Sequence, residues 1–251
     1  MLRARLETTR SATIALALVL VAAACGSSAH TASPATTKPI ATNAPTTSTT
    51  TIKTTSSPGA IKLVGETGVT PVQLQRADNL LNTTIADLKR FRTPAMAYAL
   101  GYRTIGDGLT GDEHYVNWSY SNDGHILDPT RPESIVYEVR NGQQVAVAAM
   151  YALPFGSTFR DVPDVGGSLT QWHVHRNLCL TDNPQQRVVA GLTSLDGACP
   201  PGTSKAGNTP MLHVWNVPNP CGPFAALEGI GAGQVPAGQT RNCDTRNASA
   251  P

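Results

Sequence analysis

Residues 134–153 read SIVYEVRNGQQVAVAAMYAL. Two runs rich in β-branched and apolar residues, 134–139 and 144–153, flank Arg140-Asn141-Gly142-Gln143. Asn-Gly between such runs favours a two-residue turn with positive φ at both central positions, so the stretch is predicted to be a β-hairpin. A two-residue turn pairs Val139 with Gln144, Glu138 with Val145, Tyr137 with Ala146 and Val136 with Val147. Glu138 then shares a face with Val136, Val145 and Val147. A carboxylate on an apolar face is either a ligand or base, or it lies close enough to the turn to reach water.

Upstream of the hairpin, Thr70-Pro71 has the form of a helix entry, with Thr as cap and Pro in the first turn. Leu74, Leu80, Leu81, Ile85 and Leu88 follow at spacings of three and four, which makes a helical stripe. Thr93-Pro94 opens a shorter helix that Gly101 stops. Residues 103–134 are punctuated by glycine and proline and are expected to be loop-rich. Downstream, 170–180 (TQWHVHRNLCL) and 211–217 (MLHVWNV) are predicted strands, with 187–192 (RVVAGL) a short strand between them. The expected fold is α+β: N-terminal helices packed on a mostly antiparallel β-sheet, loop-rich, with a disulfide-tied C-terminal part.

The start of the chain carries an address. Arg3, Arg5 and Arg10 precede an apolar run at 12–21, too short for the ~20 residues that cross a bilayer. This is the layout of a secretory signal peptide, residues 1–24. Ala22-Ala23-Ala24 followed by Cys25 and Gly26-Ser27-Ser28 resembles the lipobox of bacterial lipoproteins, although Ala22 stands where that pattern prefers Leu, Val or Ile. The resemblance implies cleavage before Cys25, a lipid on its sulfur and attachment to the outer face of the cell membrane. Cleavage within or after the alanines would instead release a secreted protein.

Residues 25–60 are rich in Thr, Ser, Ala and Pro and contain no aromatic residue. Such a segment buries too little apolar surface to offset chain entropy. It is expected to be a flexible stalk spanning roughly 30–35 Å, carrying a single globular domain over 61–251. Of nineteen basic and seventeen acidic side chains, three arginines and one glutamate lie in the signal, so the mature chain has sixteen of each. That balance excludes a nucleic-acid partner of the electrostatic kind.

Cys179, Cys199, Cys221 and Cys243 all fall in the last third. In an oxidising compartment two disulfides are expected, and sequential pairing closes the shortest separate loops. A zinc site is the rival reading, disfavoured by the lack of a C-x-x-C pair.

The chain has six histidines. His30 is in the stalk. His173 and His175 are two apart on a predicted strand and therefore share a face, with Trp172 and Val174 on the other. His213 shares a side with Met211, Trp215 and Val217. If the two strands adjoin, His173, His175 and His213 converge and could bind zinc, copper or iron, with His114 or Glu138 completing the shell. Exposed histidines, or a core His213 satisfied by a hydrogen bond, explain the same letters.

Several phrases stand together: His114-Tyr115-Val116-Asn117, Asp128-Pro129-Thr130-Arg131-Pro132-Glu133, Val136-Tyr137-Glu138 and Leu212-His213-Val214-Trp215, followed by Asn219-Pro220-Cys221. Over roughly residues 95 to 227 the chain resembles a family of exported bacterial lipoproteins of actinobacterial type. No activity attaches to that resemblance, but it places His114 and His213 each within a motif. The expectation is an envelope-anchored domain that binds a transition metal through the histidines. The open alternatives are a metal-free structural or ligand-binding module and an extracellular metal-dependent hydrolase or oxidase.

Overall fold

The computed structural model describes residues 61, 63, 65–108, 111–183, 186–226 and 233–239. Cys25, the signal, the stalk and Cys243 lie outside the described residues. Helix α1 (Pro71–Leu88) begins as its sequence dictates. Thr70 accepts a hydrogen bond from the Gln73 backbone, and the Gln73 side chain accepts one from the Thr70 backbone. This reciprocal box satisfies two amides that a helix start otherwise leaves unpaired. Helix α2 (Pro94–Ala99) ends at Gly101, φ 92°. There Gly101 N–H donates to Tyr98 O and Tyr102 N–H to Ala97 O, a paired closure that needs the left-handed residue.

The strands are β1 (Arg103–Thr104), β2 (Asp112–Val116), β3 (Ser134–Arg140), β4 (Gln143–Ala152), β5 (Leu178–Thr181), β6 (Val189–Leu192), β7 (Thr203–Lys205) and β8 (Met211–Trp215). They form an antiparallel five-stranded sheet, order β1-β2-β3-β4-β8, and an antiparallel three-stranded sheet, order β6-β5-β7. The fold is therefore α+β, with the helices packed on antiparallel sheet. Among the described residues, no helix is long and apolar enough to cross a membrane.

The β3–β4 hairpin turns at Asn141 (φ 51°) and Gly142 (φ 74°). Val139, Glu138 and Tyr137 pair with Gln144, Val145 and Ala146 as the turn length requires. Beyond Tyr137 the register shifts, and Val136 faces Ala148 rather than Val147. The extra residue makes a β-bulge. Val147 thereby joins Val136 and Ala148 in the small core on one side of the sheet.

Two readings of the chain are corrected. The segment 103–134 holds two strands, and β2 is an interior strand of the main sheet rather than loop. Its sequence, DEHYV, hides this because its inward residues are polar. The segment 170–180 is not one strand either. His173 and Val174 make isolated antiparallel bridges to Met211 and Gln234, and only Leu178–Thr181 pairs continuously, in the second sheet. The short strand expected at 187–192 forms as β6, paired with β5 in the second sheet. The alternation survives: Trp172 packs into the helix-side core while His173 and His175 lie with the histidines opposite.

Cys179 and Cys199 form a disulfide that ties β5 to the loop after β6. A bridge over a loop of this size is worth about 3 kcal/mol on the loop-entropy model. Cys221 is also disulfide-bonded; Cys243, its expected partner, lies outside the described residues.

Candidate functional site

The main sheet has two unlike faces. Tyr115, Ile135, Tyr137, Ala149, Tyr151, Leu212 and Val214 point toward α1 and join one apolar core with Ala77, Leu81 and Leu88. Strand periodicity sends their neighbours to the other side. Register places His114 beside Val136, Met150 beside His213 and Ala148 beside Trp215 on that second face. The isolated bridge from His173 to Met211 adds the H-x-H segment along the edge of β8.

Four imidazoles therefore meet, and all are buried. His114 Nε2 lies 3.1 Å from His213 Nε2. His213 stacks on His173, centroids 4.9 Å apart and planes 15° from parallel. His173 meets His175 edge-on at 5.2 Å. His173 Nδ1 lies 3.0 Å from Gln171 O. Gly233 packs flat against the His173 ring, and a Cβ at Gly233 would stand only 2.7 Å from His173 Cγ.

Asp107, in the β1–β2 loop, holds His114 from two sides. Its Oδ1 accepts the His114 backbone N–H at 2.8 Å and its Oδ2 lies 2.6 Å from Nδ1. The loop is shaped for this by Gly106 and Gly111, both at positive φ, and by Glu113, which accepts from Thr104 Oγ1 and the Gly106 amide. Burial alone would raise Asp107 and lower His114. The attraction between them, helped by their hydrogen bonds, outweighs it, so Asp107 sits below and His114 above its ordinary value. His213 goes the other way. Burial, and then the neighbouring charges of His173, His114 and His175, push it well below the ordinary imidazole range.

The Asp107–His114 pair forms part of the wall of a cavity of about 110 Å³ between the two sheets. Val116, Met150, Ala152 and Met211 come from the main sheet, Leu178 and Leu180 from β5, and Trp118 and Phe155 from loops. His175, Glu133, Ser121 and Thr209 complete its polar lining. Glu133 is 3 % exposed, and its Oε2 accepts the Ala152 backbone N–H at 3.0 Å. Burial pushes its carboxyl up to about 7.

Of the expected site residues, the structure brings together His114, His173, His175 and His213. Glu138 is elsewhere, at the turn end of β3, where its Oε2 pairs with Arg140 Nη2 at 2.7 Å in a half-exposed ion pair. It therefore takes the solvent-reaching alternative. Among the described residues, no group of three or more His, Cys, Asp or Glu is arranged to hold a metal ion. An imidazole binds a metal through a lone pair in its ring plane, about 2 Å from the nitrogen. Near-parallel rings such as His213 and His173 aim those lone pairs side by side rather than at one point.

Asp107 and Glu133 escape a sequence search because a buried carboxylate is written with the same letter as a surface one. The one local signal for Glu133 is its place between Pro132 and the apolar strand 134–137. No family model, no curated protein and no solved structure matches the chain.

Proposed function

We propose that this chain is an exported, envelope-anchored lipoprotein whose domain binds a small ligand in the cavity between its two sheets. The observation that carries the reading is the convergence of Asp107, His114, His175 and Glu133 on a largely apolar cavity. A largely apolar concavity with a few fixed polar groups is the general form of a ligand site. Of the readings left open by the sequence, the ligand-binding module gains this support, whereas the stacked rings favour it over a metal centre. Binding is also favoured over turnover. The outer nitrogen of His114, which a general base would turn toward a nucleophile, is engaged by His213.

Titration of the protein with fragment-sized compounds, followed by amide and indole NMR shifts, tests the proposal. Shifts should be confined to cavity residues such as Trp118, Ser121 and Ala152, and Ala206→Phe, which fills the cavity, should remove them. Shifts that scatter over the surface, or that survive the filling substitution, reject it. The anchor is tested separately: Cys25→Ala should move the protein from the membrane fraction to the medium or block its processing.

A further inference from the structure

We infer that the cavity selects a small organic cation, a primary ammonium on a compact apolar body, with Glu133 as its counter-charge. This deepens the ligand-binding reading and rests on it. The first observation is the sign of the lining. Glu133 and Asp107 are both in the wall, and among the described residues no Lys or Arg is. Of the two histidines in the wall, His114 is already matched by Asp107 at 2.6 Å, and His175 stands edge-on to the His173 ring. An anion entering here would meet the Glu133 carboxylate and no Lys or Arg among the described residues, whereas a cation completes the charge balance.

The second observation is the state of Glu133. Its Oε2 is engaged by the Ala152 amide, its own backbone amide also stabilises the carboxyl, and no cationic side chain donates to it among the described residues. A buried carboxylate held only by backbone amides gains most from a charged donor, because ion-assisted hydrogen bonds are about twice as strong as neutral ones. The ionisable groups around it add no protein counter-ion. Asp123 and Asp128 disfavour its ionisation, Tyr102 and Tyr151 are neutral neighbours, and Arg131 is drawn off to Asp123 at 3.2 Å. Asp107, His114 and His175 complete the lining. The remaining contacts suit an ammonium with a hydrocarbon body: the rings of Trp118 and Phe155 and the thioethers of Met150 and Met211. The space, about 110 Å³, is below the ~150 Å³ of a cavity that accommodates benzene, which limits the body to a short hydrocarbon chain.

Three probes share that body and differ in charge: pentylammonium, 1-pentanol and pentanoate. Their affinities for the full chain are to be compared by NMR titration at pH 8, where Glu133 is mostly ionised. Pentylammonium should bind about tenfold or more tighter than pentanol, and pentanoate weakest. Glu133→Gln should bring pentylammonium and pentanol level. Wild-type protein at pH 5.5 should lose most of the preference, and this arm does not depend on the variant folding. Equal binding of pentylammonium and pentanol at pH 8 would overturn the cation inference and leave the ligand-binding reading standing. No cavity shift with any of the three would remove both.

Discussion

The helix-facing and cavity-facing sides of the five-stranded sheet are built from the same strands by different rules. On the helix side, the buried tyrosine hydroxyls have partners: Tyr137 donates to Phe91 O at 2.7 Å, and Tyr151 lies 2.7 Å from Thr84 Oγ1. The rest is aliphatic and aromatic packing. On the cavity side, Asp112, His114, Ser134, His173 and His213 are all buried. His213 Nδ1 and Ser134 Oγ have no hydrogen-bond partner among the described residues. Burying polar groups costs free energy unless they are bonded. The first face thus stabilises the sheet, and the second spends part of that stability to hold ionisable groups in a fixed array.

This contrast predicts that substitutions on the two faces separate stability from site chemistry. The largest effect belongs to the helix side. Leu81 is fully buried in the helix–sheet core, and Leu81→Ala should cost about 2–5 kcal/mol in urea unfolding. While folded, the variant should keep the cavity's probe affinities and the histidine resonances. A Leu81→Ala protein with altered histidine titration would show that the faces are coupled.

Next in size is Glu133. Its folded pKa, about 7, lies above its ordinary value of 4.5. Between those values the folded state holds a proton that the unfolded state has lost. The stability this provides is complete below about pH 4.5 and disappears as pH rises through about 7. The stability difference between wild type and Glu133→Gln should therefore shift against wild type by roughly 3 kcal/mol from pH 4.5 to 8. A flat difference would mean that Glu133 is solvated, not buried against the cavity.

A smaller cost is expected at Gly233, where any Cβ presses into the His173 ring. Gly233→Ala should destabilise by about 1–3 kcal/mol, the usual range for overpacking. Unlike Leu81→Ala, it should also change the ring-current shifts of His173 and His213. Unchanged imidazole shifts would show that the rings are not held by that backbone contact.

These residues also mark what the sequence disclosed. The helix cap at Thr70, the stripe of α1 and the Asn-Gly turn were legible because each follows from local chemistry that tertiary structure did not override. The bulge at Val147 was not, since nothing in VAVAA distinguishes an extra residue from a regular pair. β2 was missed for a more instructive reason. A strand whose inward positions are Asp112 and His114 breaks the apolar alternation by which strands are recognised, and the break occurs at the site itself. The pairing of His173 with His175 could be read from spacing, but the approach of His213 and His114 depends on which strands adjoin. Asp107 gave no pattern and Glu133 only its place before an apolar strand, because a carboxylate's burial against the second sheet is not written in its neighbours.

The smallest effect is a proton relocation, and it tests the cavity side most directly. With His114 protonated, both its nitrogens donate: Nδ1–H to Asp107 and Nε2–H to His213 Nε2. His213, held neutral by burial, must then keep its own proton on Nδ1. When His114 loses its charge, Asp107 retains the Nδ1 proton and Nε2 becomes an acceptor. His213 must then donate from Nε2, so its tautomer flips although it never ionises. Long-range ¹H–¹⁵N NMR across a pH series should record this exchange, with His114 titrating above pH 6.5 and His213 remaining neutral. Asp107→Asn removes the largest charge that raises His114 and leaves burial, which lowers it, against the weaker pull of Asp112 and Glu113. In that variant His114 should be neutral at pH 6.5, with His213 already in the Nε2–H form. The wild-type pair contributes stability that is lost as pH falls through the depressed Asp107 value and as pH rises through the elevated His114 value. That window should vanish in the variant. If His213 keeps one tautomer throughout while His114 titrates, the 3.1 Å contact transmits nothing, and the polar face is a set of separately buried rings.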